Sequence, residues 1–189
     1  MYTRHMDVYH AGQRALQDRF DTRRLADRLE EITYHHAFSD DDKDVIESAP
    51  FFFLATVGED GFPDVSYKGG MPGFARCISD TELEFASYDG NGQFRTLGNI
   101  LSDPHVSLLF INFEQPGRLR IQGTATLSDD LIVTVTVSCI WPNCPRYVHK
   151  MQAIEFSPHA PRPDYEPPDA EWKQYFPDVL PGTPGSPSA

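Results

Sequence analysis

Between Pro50 and Leu127 the chain carries five basic residues, Lys68, Arg76, Arg95, Arg118 and Arg120, among mostly apolar and small neighbours. In a protein of formal net charge −12, these scarce cations are the groups best able to hold an anion. Period-two alternation puts Ser66 and Lys68 on one face of the segment Phe62 to Lys68. The same rule puts Arg118, Arg120, Gln122, Thr124 and Thr126 on one face of the segment beginning at Gly117. Arg95 and Thr96 fall near the start of a short helical stretch, where backbone N–H groups and the helix dipole favour negative charge. One consistent arrangement is a phosphate held by Arg95, Thr96 and the hydroxyl of Ser87, with Lys68 or Arg118 close to the rest of an anionic ligand. Ordinary polar faces of half-exposed antiparallel strands show the same spacing. The spacing alone therefore leaves both readings open.

Two glycine clusters, Lys68-Gly69-Gly70-Met71-Pro72-Gly73 and Asp89-Gly90-Asn91-Gly92, look like phosphate loops at first sight. Neither completes a Rossmann or Walker pattern or sits between a strand and a long helix. They read as turns that need positive φ, which can still bring a cofactor close to the backbone at Asn91. The three cysteines, Cys77, Cys139 and Cys144, fit reduced thiols and are too few for structural zinc, so no metal site is expected.

The elements that must position these residues follow from the apolar pattern. Val8 to Ile32 predicts one helix, with Leu16, Phe20, Leu25, Leu29 and Ile32 as an apolar stripe packed on the body of the domain or on a partner subunit. His35 and His36 follow in a loop and read as solvated. A second helix starts at the N-cap Ser39, with Asp40, Asp41 and Asp42 in its first turn, and ends near Ala49 before Pro50. From Phe51 the pattern is β: Phe51–Val57, Phe62–Lys68, Phe74–Ile78, Leu83–Ser87, His105–Phe113, Gly117–Leu127 and Leu131–Ile140, with a short helix inserted after Gly92 and running to about Leu101.

Seven short strands of this kind close into a barrel or sandwich to hide their edges. The expected class is mainly β, an antiparallel Greek-key barrel with N-terminal helices and one short inserted helix. Phe51–Val57 and Val106–Ile111 are apolar at successive positions and need cover on both faces. One face is the barrel interior, so the other must meet helices or a second subunit, which predicts a homodimer. The expected divisions are a helical segment 1–49, a barrel domain 50–157 and a Pro-rich extended tail 158–189, where Trp172, Tyr175 and Phe176 either pin the tail down or belong to a loose end.

The acidic balance argues against nucleic acid and anionic lipid. No apolar run reaches the roughly 20 residues of a membrane helix, and the opening MYTRHMDVYHAGQ lacks the order of a secretion signal. A cytoplasmic protein is expected.

The run Phe53-Leu-Ala-Thr-Val-Gly-Glu-Asp-Gly-Phe-Pro-Asp-Val-Ser-Tyr-Lys-Gly-Gly70 resembles the opening hairpin of the pyridoxamine 5′-phosphate oxidase-like, FMN-binding split-barrel family. Tyr88-Asp-Gly-Asn-Gly-Gln-Phe-Arg-Thr-Leu-Gly-Asn-Ile100, then Asp103-Pro104, Leu108-Leu-Phe110 and Arg118-Leu-Arg-Ile-Gln-Gly123 continue the likeness over roughly residues 45 to 150. The resemblance implies a split β-barrel that binds FMN, works as a homodimer with FMN sites at the subunit interface, and acts as an oxidoreductase on a small organic molecule. Arg95 and Thr96 stand where the true oxidases hold the FMN phosphate with an Arg-Lys pair, so the Thr changes that grip. Ser66, Tyr67 and Lys68 correspond to the strand along the isoalloxazine ring, and Ser87 to a small hydroxyl. Arg118 takes the place of a glutamine that reaches FMN from the other subunit.

The substrate signature of the true oxidase, Arg-Leu-His-Asp-Arg, is missing. In its place stands Trp141-Pro-Asn-Cys-Pro-Arg-Tyr-Val-His-Lys150, which resembles an uncharacterised branch of the superfamily. Cys144, Tyr147 and His149 are substrate-side candidates there; the competing reading is a turn stiffened by Pro142 and Pro145. A flavin-binding carrier or sensor without turnover is the alternative function. Deazaflavin F420 and haem are alternative ligands, with His105, His149 and His159 as the histidines available to haem.

Overall fold

The computed structural model describes residues 8–88, 90–165 and 167–180. Its elements in chain order are α1 (Ala11–Arg19), α2 (Arg23–Thr33), α3 (Asp40–Ser48), β1 (Phe51–Val57), β2 (Pro63–Gly69), β3 (Ala75–Cys77), β4 (Glu82–Ala86), α4 (Arg95–Ser102), β5 (His105–Asn112), β6 (Gly117–Leu127), β7 (Ile132–Asn143) and a short 3-10 turn, Glu171–Tyr175. Where one helix was expected over Val8 to Ile32, there are two. Asp21 adopts φ 53°, and the N–H groups of Asp21 and Thr22 reach back to the carbonyls of Asp18 and Gln17. That is a Schellman stop, made here without glycine, and it turns α2 back along α1.

The seven strands form one antiparallel sheet in the order β2-β1-β5-β6-β7-β4-β3. The sheet curls until distant strands touch across its interior. Phe52 on β1 packs edge-on against Phe85 on β4, with ring centroids 5.0 Å apart, and lies 4.9 Å from Phe110 on β5. The two end strands, β2 and β3, do not pair with each other, so the barrel is split. α3 packs on β3 and leads into β1, and Cys77 N–H donates to Glu47 while Gly73 N–H donates to the Glu47 carbonyl.

The core follows the alternation in the sequence. Phe52, Leu54 and Thr56 of β1, Leu108 and Phe110 of β5, and Leu119 and Ile121 of β6 point inward and are buried. Phe51 and Phe53 face out and are only half covered, next to Tyr67 and Phe113. β7 runs to Asn143, three residues past the expected end, with Pro142 opposite Leu119.

The register of β6 against β7 breaks between Gln122 and Gly123, leaving Ser138 as an extra residue. The N-terminal segment docks at this bulge. His36 meets the Ser138 carbonyl, His35 pairs with Ile140 by two backbone bonds, and Tyr34 stacks on Trp141 at 5.1 Å. His35 is therefore not a solvated loop residue: its Nε2 lies 2.8 Å from Asp42. Buried Asp42 also accepts from Ser39 N–H and Ser39 Oγ at the start of α3. Asp42→Ala should cost about 2 kcal/mol, because it strips a buried capping acceptor with three partners. Asp41→Ala, in the same turn but exposed, should be near neutral. Thermal melts of the two variants check this.

The described part of the tail is compact rather than extended throughout. Tyr165 Oη donates to the Pro158 carbonyl at 2.7 Å, the Arg162 guanidinium sits 4.0 Å from the Tyr165 ring centroid, and the Trp172 ring of the 3-10 turn lies 6.5 Å from that of Phe176, just past its end. The Pro-rich stretch 181–189 lies outside the described residues.

Candidate functional site

The short helix α4 sits against β1 and β6 and buries Thr96, Leu97 and Ile100. Its N-cap is Phe94, held at φ 49°. A phenyl ring has no acceptor, so the first-turn N–H groups receive no side-chain cap. The loop before it is shaped by Asn91, whose Oδ1 accepts from Gln93 N–H. Asn91 thus builds the approach to α4; Asp89 of the same turn lies outside the described residues.

Lys68 reaches this uncapped end. Its Nζ donates to Oγ1 of buried Thr96 at 3.3 Å, a contact across 28 residues of sequence. Burial pushes the Lys68 ammonium below its usual range, partly offset by the charge of Asp64. Ser66 lies two residues back on the same inner face, opposite Leu54 as Lys68 is opposite Phe52. Tyr67 falls on the other side, 61% exposed and stacked on Phe51. The strand pleat thus divides the three neighbouring candidates into an inner pair and an outer aromatic ring. Ser87 follows β4, and its N–H is bound to the Leu131 carbonyl.

Arg95 is held differently. Its guanidinium is largely exposed and 3.7 Å from the Asp64 carboxylate, a distance at which a surface pair contributes little. Sequence reasoning missed Asp64, although it shares the two-residue period of Ser66 and Lys68. It also missed Asn99, one turn after Arg95, whose Nδ2 donates to buried Thr56 at 2.9 Å. A cavity of about 640 Å³ lies beside this pair, lined by Gly58, Glu59, Asp60, Phe62, Pro63, Asp64, Arg95 and Asn99. Three carboxylates, Glu59, Asp60 and Asp64, make it a poor place for a phosphate.

Arg118 lies on the outer face of β6 with Arg120, as the alternation predicted. One of its Nη groups donates to the Cys144 carbonyl, and its Nε is buried without a hydrogen-bond partner among the described residues. The segment after β7 is a turn, closed by Val148 N–H to the Pro145 carbonyl. Cys144, Tyr147 and His149 are all exposed on it, with the Tyr147 ring under Arg146. Cys77 is a poor nucleophile: burial and Glu47 push its thiol up to about 11. Among the described residues no cluster of three metal-type ligands forms, and no helix is long and apolar enough to cross a membrane.

Residues 38–138, more than half of the 189-residue chain, match the family model described as pyridoxamine 5′-phosphate oxidase. The chain belongs to the pyridoxamine 5′-phosphate oxidase family. The matched span runs from Phe38 through the first part of β7, so it includes Lys68, α4 and Arg118 and leaves out α1, α2 and the Cys144 turn. No curated protein matches. Among solved structures, HupZ of Group A Streptococcus is similar at 18% identity, with a TM-score of 0.47 over 61% of this chain and 99% of that one. An F420 reductase is similar at 18% identity, TM-score 0.34, over 53% and 93%. HutZ, a heme storage protein from Vibrio cholerae, is similar at 15% identity, TM-score 0.39, over 54% and 92%.

Proposed function

We propose that the protein binds FMN and is an FMN-dependent oxidoreductase acting on a small organic substrate, as a homodimer with its flavin sites between subunits. The observation that carries this reading is Lys68: a half-buried ammonium that donates to a neutral hydroxyl, that of Thr96, at the uncapped start of α4. A phosphate dianion there would gain a charge-assisted bond from Lys68 and bonds from the first-turn N–H groups and the Thr96 hydroxyl. Arg95 would add charge by exchanging its weak pair with Asp64. On the opposite face of the sheet, the buried Nε of Arg118 has no acceptor among the described residues, which fits a guanidinium serving a second subunit's site. FMN, when bound, supplies two-electron redox chemistry. Lys68, Thr96 and Arg95 would hold its phosphate and place positive charge near it.

Lys68→Met tests the assignment twice. At neutral pH the charged lysine costs folding energy, because its folded-state proton affinity is lowered. That cost fades only as pH rises through the lowered value to the usual lysine range, above which both states are neutral. Removing the charge relieves that cost, but solvent still screens the half-exposed ammonium and the bond to Thr96 is lost, so the melting temperature of the flavin-free protein should stay level or rise by about 1 °C. The same variant should lose about tenfold or more in FMN affinity.

The decisive experiment is the absorption spectrum of the purified protein, followed by heat release and mass analysis of the ligand. One FMN per chain, bleached by a reduced donor and restored by an oxidant, supports the reading. A haem spectrum, a deazaflavin, or a colourless protein that ignores added FMN would overturn it. Bound FMN that no donor bleaches would leave the carrier or sensor role in place of the oxidoreductase.

A further inference from the structure

In a protein of formal net charge −12, a cation has no shortage of carboxylates to pair with. Arg14, Arg23, Arg28, Lys43, Arg76 and Arg95 each lie within ion-pair distance of one. Arg118, Arg120, Arg146 and Lys150 have no such partner among the described residues, and they stand together. The sequence keeps acid away from them: there is no Asp or Glu from Gln115 to Ser128, nor from Leu131 to Ile154.

The fold gathers the four at one end of the sheet. Arg118 is opposite Asn143 and Arg120 opposite Trp141, where β7 ends. Arg118 donates to the Cys144 carbonyl, and the turn that follows carries Arg146 and closes through Val148 N–H to the Pro145 carbonyl. Met151 N–H then donates to the Phe113 carbonyl, just past the stretch of β5 where Ile111 pairs with Arg118. Lys150 is thereby brought back to the end of the sheet that holds Arg118. The carboxylate of the β5–β6 turn, Glu114, accepts from Ala153 N–H.

Two of the guanidiniums lie over rings, Arg120 at 6.0 Å from the Trp141 centroid and Arg146 at 5.3 Å from that of Tyr147. A guanidinium stacked on a ring keeps its N–H edge free for a planar acceptor. The buried Nε of Arg118 has no acceptor among the described residues, a cost that a bound acceptor would offset. Like charges gathered without a counter-charge repel one another, so the cluster does nothing for the fold by itself, and an anion would relieve it.

We infer that the end of β6 and the turn after β7 form a binding site for a small organic acid, held at its acidic group by Arg146 and Lys150 with Arg118 behind them. A carboxylate and a phosphate monoester share this chemistry. As the substrate class of the proposed oxidoreductase, the acid rests on the FMN reading; the binding site does not. That reading gives Arg118 to a second subunit's flavin, and an acid held beside Arg118 would stand next to the ring.

The test is calorimetric titration of the full chain, with and without FMN, at about 0.15 M salt. Citrate reports on carboxylates and glycerol 3-phosphate on phosphate monoesters. At least one is expected to bind with a Kd of about 1 mM or tighter, and the tighter of the two names the class. Arg146→Ala with Lys150→Ala, both exposed, should weaken it about tenfold or more while FMN affinity, read by fluorescence, stays within about twofold. Arg24→Ala, which removes an exposed cation on α2, should change neither. Failure of both probes to bind, equal affinity in the double variant, or an equal loss in Arg24→Ala would overturn the inference. So would a single-stranded oligonucleotide that displaces the probe at this salt, because the surface would then serve a phosphate backbone. If FMN binds and neither probe does, the inference fails and the flavin reading stands. If a probe binds and FMN does not, the site stands and the substrate role falls with the flavin.

Discussion

Gly123→Ala lowers the stability of the protein by about 3 kcal/mol or more, enough to reduce its melting temperature by roughly 6–12 °C. A Cβ added at Gly123 would lie 2.2 Å from the Thr136 carbonyl oxygen and 3.0–3.1 Å from the Thr136 carbonyl carbon and Val137 Cα. All three are backbone atoms of the strand paired with it, so no rotamer change relieves the overlap. β6 and β7 would have to separate at the bulge where the N-terminal segment docks through His35 and His36. Because the Cβ itself collides, Ala should be nearly as damaging as Val, unlike the graded series that side-chain volume alone would produce. Gly117→Ala is the control: the one neighbour of its added Cβ is the Gln115 carbonyl at 3.6 Å, an ordinary contact. Denaturant melts of the three variants check the order; an Ala variant within about 0.5 kcal/mol of wild type would show that the bulge is not as tight as the structure has it.

On the proposed FMN reading, Arg118→Ala should weaken FMN binding by about 10- to 100-fold while leaving the melting temperature of the flavin-free protein within a few degrees. The loss corresponds to one charge-assisted bond, about 1.5–3 kcal/mol. The stability change is small because two effects oppose each other. The variant gives up the bond to the Cys144 carbonyl, but it also removes a buried Nε that has no acceptor among the described residues. Arg118→Lys keeps the charge without the planar fork and should recover only part of the affinity. Fluorescence titration with FMN measures all three proteins. Equal affinity for wild type and Arg118→Ala would remove Arg118 from the cofactor site. If dimer formation also assembles the site, dilution should release flavin from the variant before the wild type.

Much of the fold was legible because each strand repeats one local rule. Phe51–Val57 and Gly117–Leu127 are the spans the sequence predicts, and the start of α3 follows from Ser39 with three aspartates. These are short-range effects: pleat, N-cap and turn chemistry act between residues a few positions apart. The break at Asp21 was not legible. Aspartate is a poor marker of the left-handed region, and the apolar residues from Leu16 to Ile32 run through the break at spacings that fit one continuous helix. The end of β7 was hidden for a related reason: Pro142 reads as a turn, yet it is tolerated because nothing in the ladder needs an N–H from it.

The candidate site divides along the same line. Alternation alone placed Ser66 and Lys68 on one face, and Arg118 and Arg120 on one face of another strand. The start of a helix at Arg95 and Thr96 was likewise readable in the chain, as was membership of a flavin-associated family. Only the tertiary structure decided that Lys68 lands on Thr96, that Arg95 lies beside Asp64, that Arg118 lies on the opposite face from Lys68, and that α1–α2 turns its apolar stripe outward. Those outcomes depend on which strands become neighbours when the sheet curls, and on where the bulge at Ser138 anchors the N-terminal segment. Sequence periodicity determines the face a residue occupies. The curl of the sheet determines what that face meets, because long-range packing is set by the sum of many distant contacts rather than by any local pattern.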